Sequence, residues 1–166
     1  MGNYNTIRKM DISNGPGVRV SIFMQGCAFH CQNCFNQETW DFTKGKEFTD
    51  ETIKRIIELC KNENIVGLSI LGGEPMHPQN IENTTKIAKT FKEKYPNKNL
   101  WVWTGYLFDK DEINKKEVSK YIDVLVDGQY VDKLHDFRLK WKGSSNQRVI
   151  DVPKSLKENK VVLYEK

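Results

Sequence analysis

The feature that most constrains this chain is a group of three cysteines that lie close together in the sequence. Cys27, Cys31 and Cys34 form a C-x3-C-x2-C pattern within residues 26–36, which read GCAFHCQNCFN. The gaps are too short for comfortable disulfide bonds, because disulfide geometry allows only a narrow range of Cα separations. Thiolates this close can converge on one centre if the backbone curls around it, so the pattern predicts a metal site.

The number of cysteines bears on the kind of metal site. A structural zinc site has four ligands, and an ordinary iron–sulfur cluster is held by four cysteines. The remaining cysteine, Cys60, lies on the apolar face of a predicted helix and is expected to be a core residue. Three thiolates on a cubane cluster would leave one iron open for a substrate. Two alternatives stay open on spacing alone: a zinc site completed by His30, and free thiols in the core.

The length and charge of the chain exclude several classes of protein. Its 166 residues predict one domain over residues 1–166, with a hydrophobic core that does not need metal in order to fold. The net charge of +4 is mild and does not argue for nucleic acid. The sequence has no apolar run of about 18 residues, so no membrane partner is expected. Clustered cysteines without an export signal predict a cytoplasmic protein.

Strand and helix patterns alternate along the chain. Strands are predicted at residues 4–8, 18–24, 65–71, 100–103, 122–126, 149–152 and 161–164, and helices at 50–60, 79–94 and 111–120. Thr49 is the predicted N-cap of the first helix. This order predicts an α/β fold with too few strands to close an eight-stranded barrel. We expect a partial, open β/α barrel with a mostly parallel curved sheet of about five to six strands.

Four chemically distinctive segments each follow a predicted strand. They are GCAFHC from residue 26, GGEP from residue 72, TGY from residue 104 and DGQY from residue 127. In parallel α/β sheets the carboxyl ends of the strands lie at one edge, where ligands bind. We therefore expect these four segments to line one cleft.

The three later segments also have plainer interpretations. Gly72 and Gly73 let the backbone approach a ligand closely, and Glu74 adds a carboxylate, but two glycines before a helix are also a common turn. Thr104 could line a pocket or belong to a plain turn after a strand. Asp127 could bind ribose hydroxyls, pair with a cation or serve in a turn.

A basic segment, KWKGSSNQR at residues 140–148, carries one aromatic residue. A nucleic-acid surface would need a larger stripe of this kind, so no nucleic-acid partner is expected. The segment is interpreted as a loop near the cleft that touches cofactor or partner, with a solvated loop as the alternative.

The cysteine motif resembles that of the radical S-adenosylmethionine (SAM) enzymes. The flanking segments RVSIFMQGC and CFNQETW are similar to the activating proteins of anaerobic ribonucleotide reductases. DVLVDGQY and the WxGSxNQR pattern are similar to the same activases, so the resemblance covers nearly the whole chain. Many radical SAM relatives have an aromatic residue before the last cysteine. Here Asn33 takes that position and Phe35 follows, a departure that fits the small activases.

The resemblance implies a set of site residues. Cys27, Cys31 and Cys34 would hold one 4Fe-4S cluster, whose open iron is chelated by S-adenosyl-L-methionine. The implied cofactor-binding residues are Asn33, Cys34, Phe35, Gly72, Gly73, Glu74, Thr104 and Asp127. Among these, the glycines and glutamate of GGEP would contact the amino group of the methionine part. No catalytic side chain beyond the cluster and cofactor is implied.

The resemblance also implies a reaction and partners. A glycyl-radical activase of this kind is an oxidoreductase that cleaves SAM reductively to methionine and a 5′-deoxyadenosyl radical. The radical removes a hydrogen from a glycine-bearing loop of the reductase large subunit, and flavodoxin or ferredoxin is an expected electron donor. The chain leaves little room for a deep substrate pocket, which suits a protein substrate. The alternatives are a radical SAM enzyme acting on a small molecule, such as a deazapurine synthase, and a zinc-stabilised protein-binding module.

Overall fold

The fold is built on one seven-stranded sheet, in a computed structural model that describes residues 2–165. The strands are β1 Asn3–Asp11, β2 Arg19–Gln25, β3 Lys46–Glu47, β4 Gly67–Gly72, β5 Asn99–Trp103, β6 Val124–Asp127 and β7 Arg148–Asp151. The helices are α1 Asp50–Leu59, α2 Ile81–Lys94 and α3 Val152–Glu158. The strand order across the sheet is β3-β1-β2-β4-β5-β6-β7. The chain is therefore mixed α/β.

The four central strands are parallel, whereas the outer strands are not. The pairs β2–β4, β4–β5 and β5–β6 are parallel, and the pairs β1–β2, β1–β3 and β6–β7 are antiparallel. The expectation of a mostly parallel sheet of five to six strands is therefore corrected on both points. β1 joins β2, and β6 joins β7, through loops without a crossover α-helix, so these neighbours can pair as antiparallel strands.

The described sheet is open, because no pairing joins β3 to β7 within residues 2–165. The barrel-like curvature stays a prediction. No helix in the same part of the chain has the length and apolar character needed to cross a bilayer.

The core lies between the central strands and the two longer helices. Ile22 of β2 and Ile70 of β4 belong to one buried cluster with Ile56 of α1 and Phe91 of α2. The opposite face carries a smaller cluster centred on Trp101 of β5. Because both faces are covered, β2 is buried along its whole length. This rigid centre fixes the loops that leave its carboxyl edge.

The first helix confirms two predictions. It begins after Thr49, whose backbone nitrogen donates to the Thr52 hydroxyl at 3.0 Å in a capping box. Cys60, at its end, is fully buried in the core cluster. The fourth cysteine is therefore a core residue, remote from solvent.

The predicted helix at residues 111–120 is wrong in type. Two short 3-10 helices, Ile113–Lys115 and Glu117–Tyr121, occupy this stretch. Glu112 has a φ of +59°, in the left-handed region. A right-handed helix cannot pass through such a residue, so the α-helical pattern is broken there.

The end of the chain also differs from its pattern. The predicted strand at residues 161–164 contributes only an isolated bridge between Leu163 and Ile150. The helix α3 was not expected from the sequence. The Asp151 side chain caps it, and Pro153 lies in its first turn, where its missing N–H costs nothing.

Candidate functional site

One cavity of about 470 Å³ lies at the carboxyl edge of the parallel strands. The loops after β2, β4, β5 and β6 all contribute to its wall, as expected when parallel strands end together. Its lining includes Cys27, Cys31, Cys34, Phe35, Gly72, Gly73, Glu74, Thr104, Gly128, Gln129 and Tyr130. The fold thus brings together six residues predicted to bind cofactor and all three predicted metal ligands.

The three cysteines belong to one loop that is fixed at both ends. The backbone nitrogen of Gly26 donates to Thr39 at 2.6 Å, and that of Cys27 donates to Trp40 at 3.0 Å. Gly26 has a φ of +106°, and a Cβ there would overlap with the ring of Phe42. Only glycine therefore fits at the point where the chain leaves β2 and enters the loop.

The cysteine thiols are half-buried and form no disulfide bonds. Burial raises the pKa of Cys27 to about 11, against the opposing effect of the Phe29 and His30 backbone amides. Burial also raises the pKa of Cys31. These two thiols therefore keep their protons at neutral pH, and a metal must displace those protons when it binds.

The donor set fits a cluster better than a single ion. Among residues 2–165, no three His, Cys, Asp or Glu side chains converge closely enough to hold one metal ion. A tetrahedral zinc ion with Zn–S bonds of about 2.3 Å would draw its sulfurs to within about 4 Å of one another. A multi-iron cluster lies between its ligands and needs them further apart. The three thiols come from one loop and all line one cavity, as the protein ligands of a cluster must.

His30 has another role than that of a fourth ligand. Its ring stacks on Trp40, with centroids 4.5 Å apart and planes 12° from parallel. It does not line the cavity that the three cysteines share. The arrangement therefore gives no support to a zinc site of three cysteines and one histidine.

Glu74 is bound within the chain itself. Its carboxylate is buried and accepts hydrogen bonds from the Thr104 hydroxyl at 2.5 Å, the Gly105 nitrogen at 2.7 Å and the Met76 nitrogen at 2.9 Å. Burial raises the pKa of Glu74 to about 7, although the bond from Gly105 opposes the shift. The side chain joins the loops after β4 and β5. Its contact with a cofactor amino group stays a prediction.

Gly72 and Gly73 bring the end of β4 against β2. A Cβ on Gly72 would overlap with the backbone of Met24, and one on Gly73 would lie 2.7 Å from the carbonyl oxygen of Gly26. The nitrogen of Glu74 donates to that same carbonyl at 2.8 Å. The two glycines therefore place the GGEP backbone directly beside the start of the cysteine loop.

The loop after β5 holds the other side of the cysteine loop. A Cβ on Gly105 would lie 2.6 Å from the ring of Phe29. Phe29 also makes an edge contact with Tyr106, with centroids 4.9 Å apart. Phe29 of the cysteine loop therefore packs on Gly105, which has no side chain, and on the ring of Tyr106.

Two predicted cofactor residues are not among those that line the cavity. Asn33 is exposed and donates to Asp132 at 2.9 Å. Asp127 is fully buried and accepts from Arg148 at 2.6 Å and from the Phe108 nitrogen at 2.8 Å. Of the roles considered for Asp127, the structure shows the pairing with a cation.

The sequence analysis predicted that Phe35 binds cofactor and that residues 140–148 lie near the cleft, but it did not predict the contacts that these residues make at the cavity. Phe35 packs against Tyr130 and His135, with centroid distances of 5.1 and 5.7 Å. Gln147, from the GSSNQR segment, also lines the cavity. The asparagine and glutamine in that segment were the sequence signal for such contacts, because their amides can bond to backbone groups. In the structure, Asn146 and Gln147 donate to the carbonyls of Gln129 and Gly128.

Comparisons with known proteins add independent findings. A family model described as a 4Fe-4S single cluster domain matches residues 13–150. The anaerobic ribonucleoside-triphosphate reductase-activating protein of Enterobacteria phage T4 is 40% identical over 89% of this chain and 92% of its own length. The proteins of the same name from Vibrio cholerae serotype O1 and Escherichia coli K12 are 39% and 40% identical. They cover 87% and 89% of this chain, and 95% and 97% of their own lengths.

Proposed function

We infer the function of this chain from the family to which it belongs, the anaerobic ribonucleoside-triphosphate reductase-activating proteins with a 4Fe-4S single cluster domain. We propose that it is a radical SAM activase that generates a glycyl radical on an anaerobic ribonucleotide reductase. The observation that carries this proposal is the shared cavity, into which three thiols and the loops after β4, β5 and β6 all face.

In the proposed site Cys27, Cys31 and Cys34 would hold a 4Fe-4S cluster with three thiolates, which would leave one iron without a protein ligand for S-adenosylmethionine. A bound, reduced cluster would supply the electron for reductive cleavage of the sulfonium, and the products would be methionine and, after hydrogen transfer from a glycine Cα of the reductase, 5′-deoxyadenosine. An external donor such as flavodoxin or ferredoxin would supply that electron by reducing the cluster. One electron enters and one unpaired electron remains on the reductase.

The backbone at GGEP is suited to bind the amino group of the cofactor. An ammonium group needs hydrogen-bond acceptors, and the Glu74 carboxylate already accepts three bonds from the chain. The carbonyl of Gly72 accepts one bond, from Asn36 at 3.2 Å, and has a second lone pair. We therefore assign the acceptor role to the Gly72 and Gly73 carbonyls, with Glu74 fixing their position.

Aromatic side chains around the cysteine loop would limit the access of water. Phe29 packs on Tyr106, and Phe35 packs on Tyr130, on different parts of the loop. These four rings also line the cavity or contact residues that do. Exclusion of water protects a reactive radical from side reactions. The hydrogen-donating loop of the reductase would complete the closure.

The proposal is tested on protein purified without oxygen. We expect about four iron and four sulfide per chain. With reductant and S-adenosylmethionine we expect methionine and 5′-deoxyadenosine. Addition of the anaerobic reductase should give a glycyl radical signal in electron paramagnetic resonance.

Each failure has a distinct meaning. If the purified protein contains zinc and no sulfide, the cluster proposal is wrong and the three cysteines form a structural zinc site. Cofactor cleavage without a glycyl radical would contradict the proposed partner and would favour a small-molecule substrate.

A further inference from the structure

Three consecutive side chains of the GSSNQR segment bind three consecutive residues at the carboxyl end of β6. We call this set, Asn146, Gln147 and Arg148, the side-chain ladder. Its bonds run in register: Arg148 to the Asp127 carboxylate at 2.6 Å, Gln147 Nε2 to the Gly128 carbonyl at 2.9 Å, and Asn146 Nδ2 to the Gln129 carbonyl at 2.8 Å. The ladder continues the antiparallel β6–β7 pairing beyond the last strand residues. It holds Gly128 and Gln129 in place beyond the last paired residues, Asp127 and Arg148.

The ladder is itself held in place. Gln147 Oε1 accepts from the backbone nitrogens of Gly143 at 2.8 Å and Ser144 at 3.1 Å. The Ser144 hydroxyl accepts from the nitrogen of Val131 at 3.1 Å. Residues 144–148 are therefore bonded to residues 127–131 in several places. Ser144 is also fully buried. A loop with this many bonds has little freedom to move.

The fixed loop faces the middle cysteine. The Gln129 side-chain oxygen lies 3.9 Å from the Cys31 sulfur. The Gln129 side-chain amide is therefore the polar group that lies at this sulfur.

The protonation state of the sulfur decides which end of the Gln129 amide faces it. The free thiol of Cys31 donates to the amide oxygen, as seen here. A metal-bound thiolate has no proton and can only accept. A half-turn of the terminal amide would exchange its oxygen for its NH2 group, which donates. The same contact can therefore serve both states.

We propose that Gln129, held by the side-chain ladder, donates an N–H···S hydrogen bond to the Cys31 thiolate and raises the reduction potential of the bound cluster. Reduction adds negative charge to the cluster and its sulfurs, and a hydrogen-bond donor stabilises that charge. Hydrogen bonds to the sulfurs are among the factors that set cluster potentials. The inference rests on the proposed function only in requiring a cluster at the three cysteines.

The test is a redox titration of the cluster-loaded protein without the reductase, followed by electron paramagnetic resonance. Gln129→Leu removes the donor, so its midpoint potential should shift to more negative values. Asn146→Leu leaves Gln129 in place but frees its backbone, so it should shift in the same direction by less. Gln37→Leu is the matched control, because Gln37 is exposed and makes no side-chain hydrogen bond within residues 2–165. Its potential should equal that of the unmodified protein.

A second readout separates a hydrogen bond from a structural effect. Resonance Raman spectra should show a changed iron–thiolate stretching frequency in Gln129→Leu and none in Gln37→Leu. An unchanged potential and an unchanged stretching frequency in Gln129→Leu would overturn the inference while leaving the proposed function intact. If Gln129→Leu loses its iron, the midpoint potential of Asn146→Leu is the test instead, and an unchanged potential in that variant would overturn the inference. Unmodified protein without iron and sulfide would overturn the proposed function and the inference together.

Discussion

The Glu74 carboxylate accepts a hydrogen bond from the Gly105 nitrogen at 2.7 Å and so joins the loops that follow two neighbouring parallel strands. Both loops contact the cysteine loop: the nitrogen of Glu74 bonds to Gly26, and Gly105 supports Phe29. The geometry of the cysteine loop therefore depends on a buried carboxylate that contributes no metal ligand. This relationship makes Glu74 a first target for mutation.

We expect Glu74 to make stability fall as pH rises. Burial raises the pKa of Glu74 from 4.5 to about 7, so between these values the folded chain binds more protons than the unfolded chain. The contribution is complete below about pH 4.5 and is lost through about pH 7, with a total of about 3 kcal/mol. Urea titrations at about pH 5 and about pH 8 measure it. Glu74→Gln should lack this decline, and parallel pH profiles for the two proteins would contradict the prediction.

The cysteines should differ in their effect on iron content. Cys31→Ala removes a proposed ligand that lines the cavity, so iron and sulfide per chain should fall to a small fraction of the unmodified value. Cys60→Ala is the matched control, since this thiol is fully buried in the core. It should keep its iron and lose about 1 kcal/mol of stability. Undiminished iron in Cys31→Ala would show that the ligand set is wrong.

Gly73→Ala should disturb the cluster through packing alone. A Cβ there would lie 2.7 Å from the Gly26 carbonyl oxygen and 2.8 Å from that of Met24. Both are backbone atoms, which cannot move aside cheaply, so we expect a loss of about 2 kcal/mol. Because Gly26 precedes Cys27, iron retention should fall as well. Thermal unfolding and iron analysis measure the two effects, and a variant equal to the unmodified protein in both would refute the argument.

Removal of Arg148 should destabilise the chain through its buried partner. The Asp127 side chain is completely buried and lies 2.6 Å from the guanidinium of Arg148. Arg148→Met leaves that carboxylate without a counter-charge, at a cost of about 3 kcal/mol. Asp127→Asn in the same background keeps an acceptor for the Phe108 nitrogen and removes the charge, so part of the loss should return. The free energy of unfolding of the single and double variants measures this effect. If the double variant is no more stable than Arg148→Met, the loss is not due to an unpaired charge.

Local patterns were sufficient to predict several parts of the molecule. The spacing of Cys27, Cys31 and Cys34 identified the centre of the site, and the capping residue Thr49 located the first helix. The glycine-rich segments after strands pointed to a common edge, and the structure brings those segments to one cavity. Each of these features depends on a few neighbouring residues, which is why the sequence shows it directly.

Tertiary structure alone decided how the polar side chains are used. The sequence placed Glu74 and Asp127 at the right edge of the sheet. It did not show that Thr104 and Gly105 bind the first and that Arg148 binds the second. The antiparallel outer strands and the side-chain ladder were equally hidden. A buried charge or amide must find its partner wherever the fold brings one, and such partners lie tens of residues away in the chain.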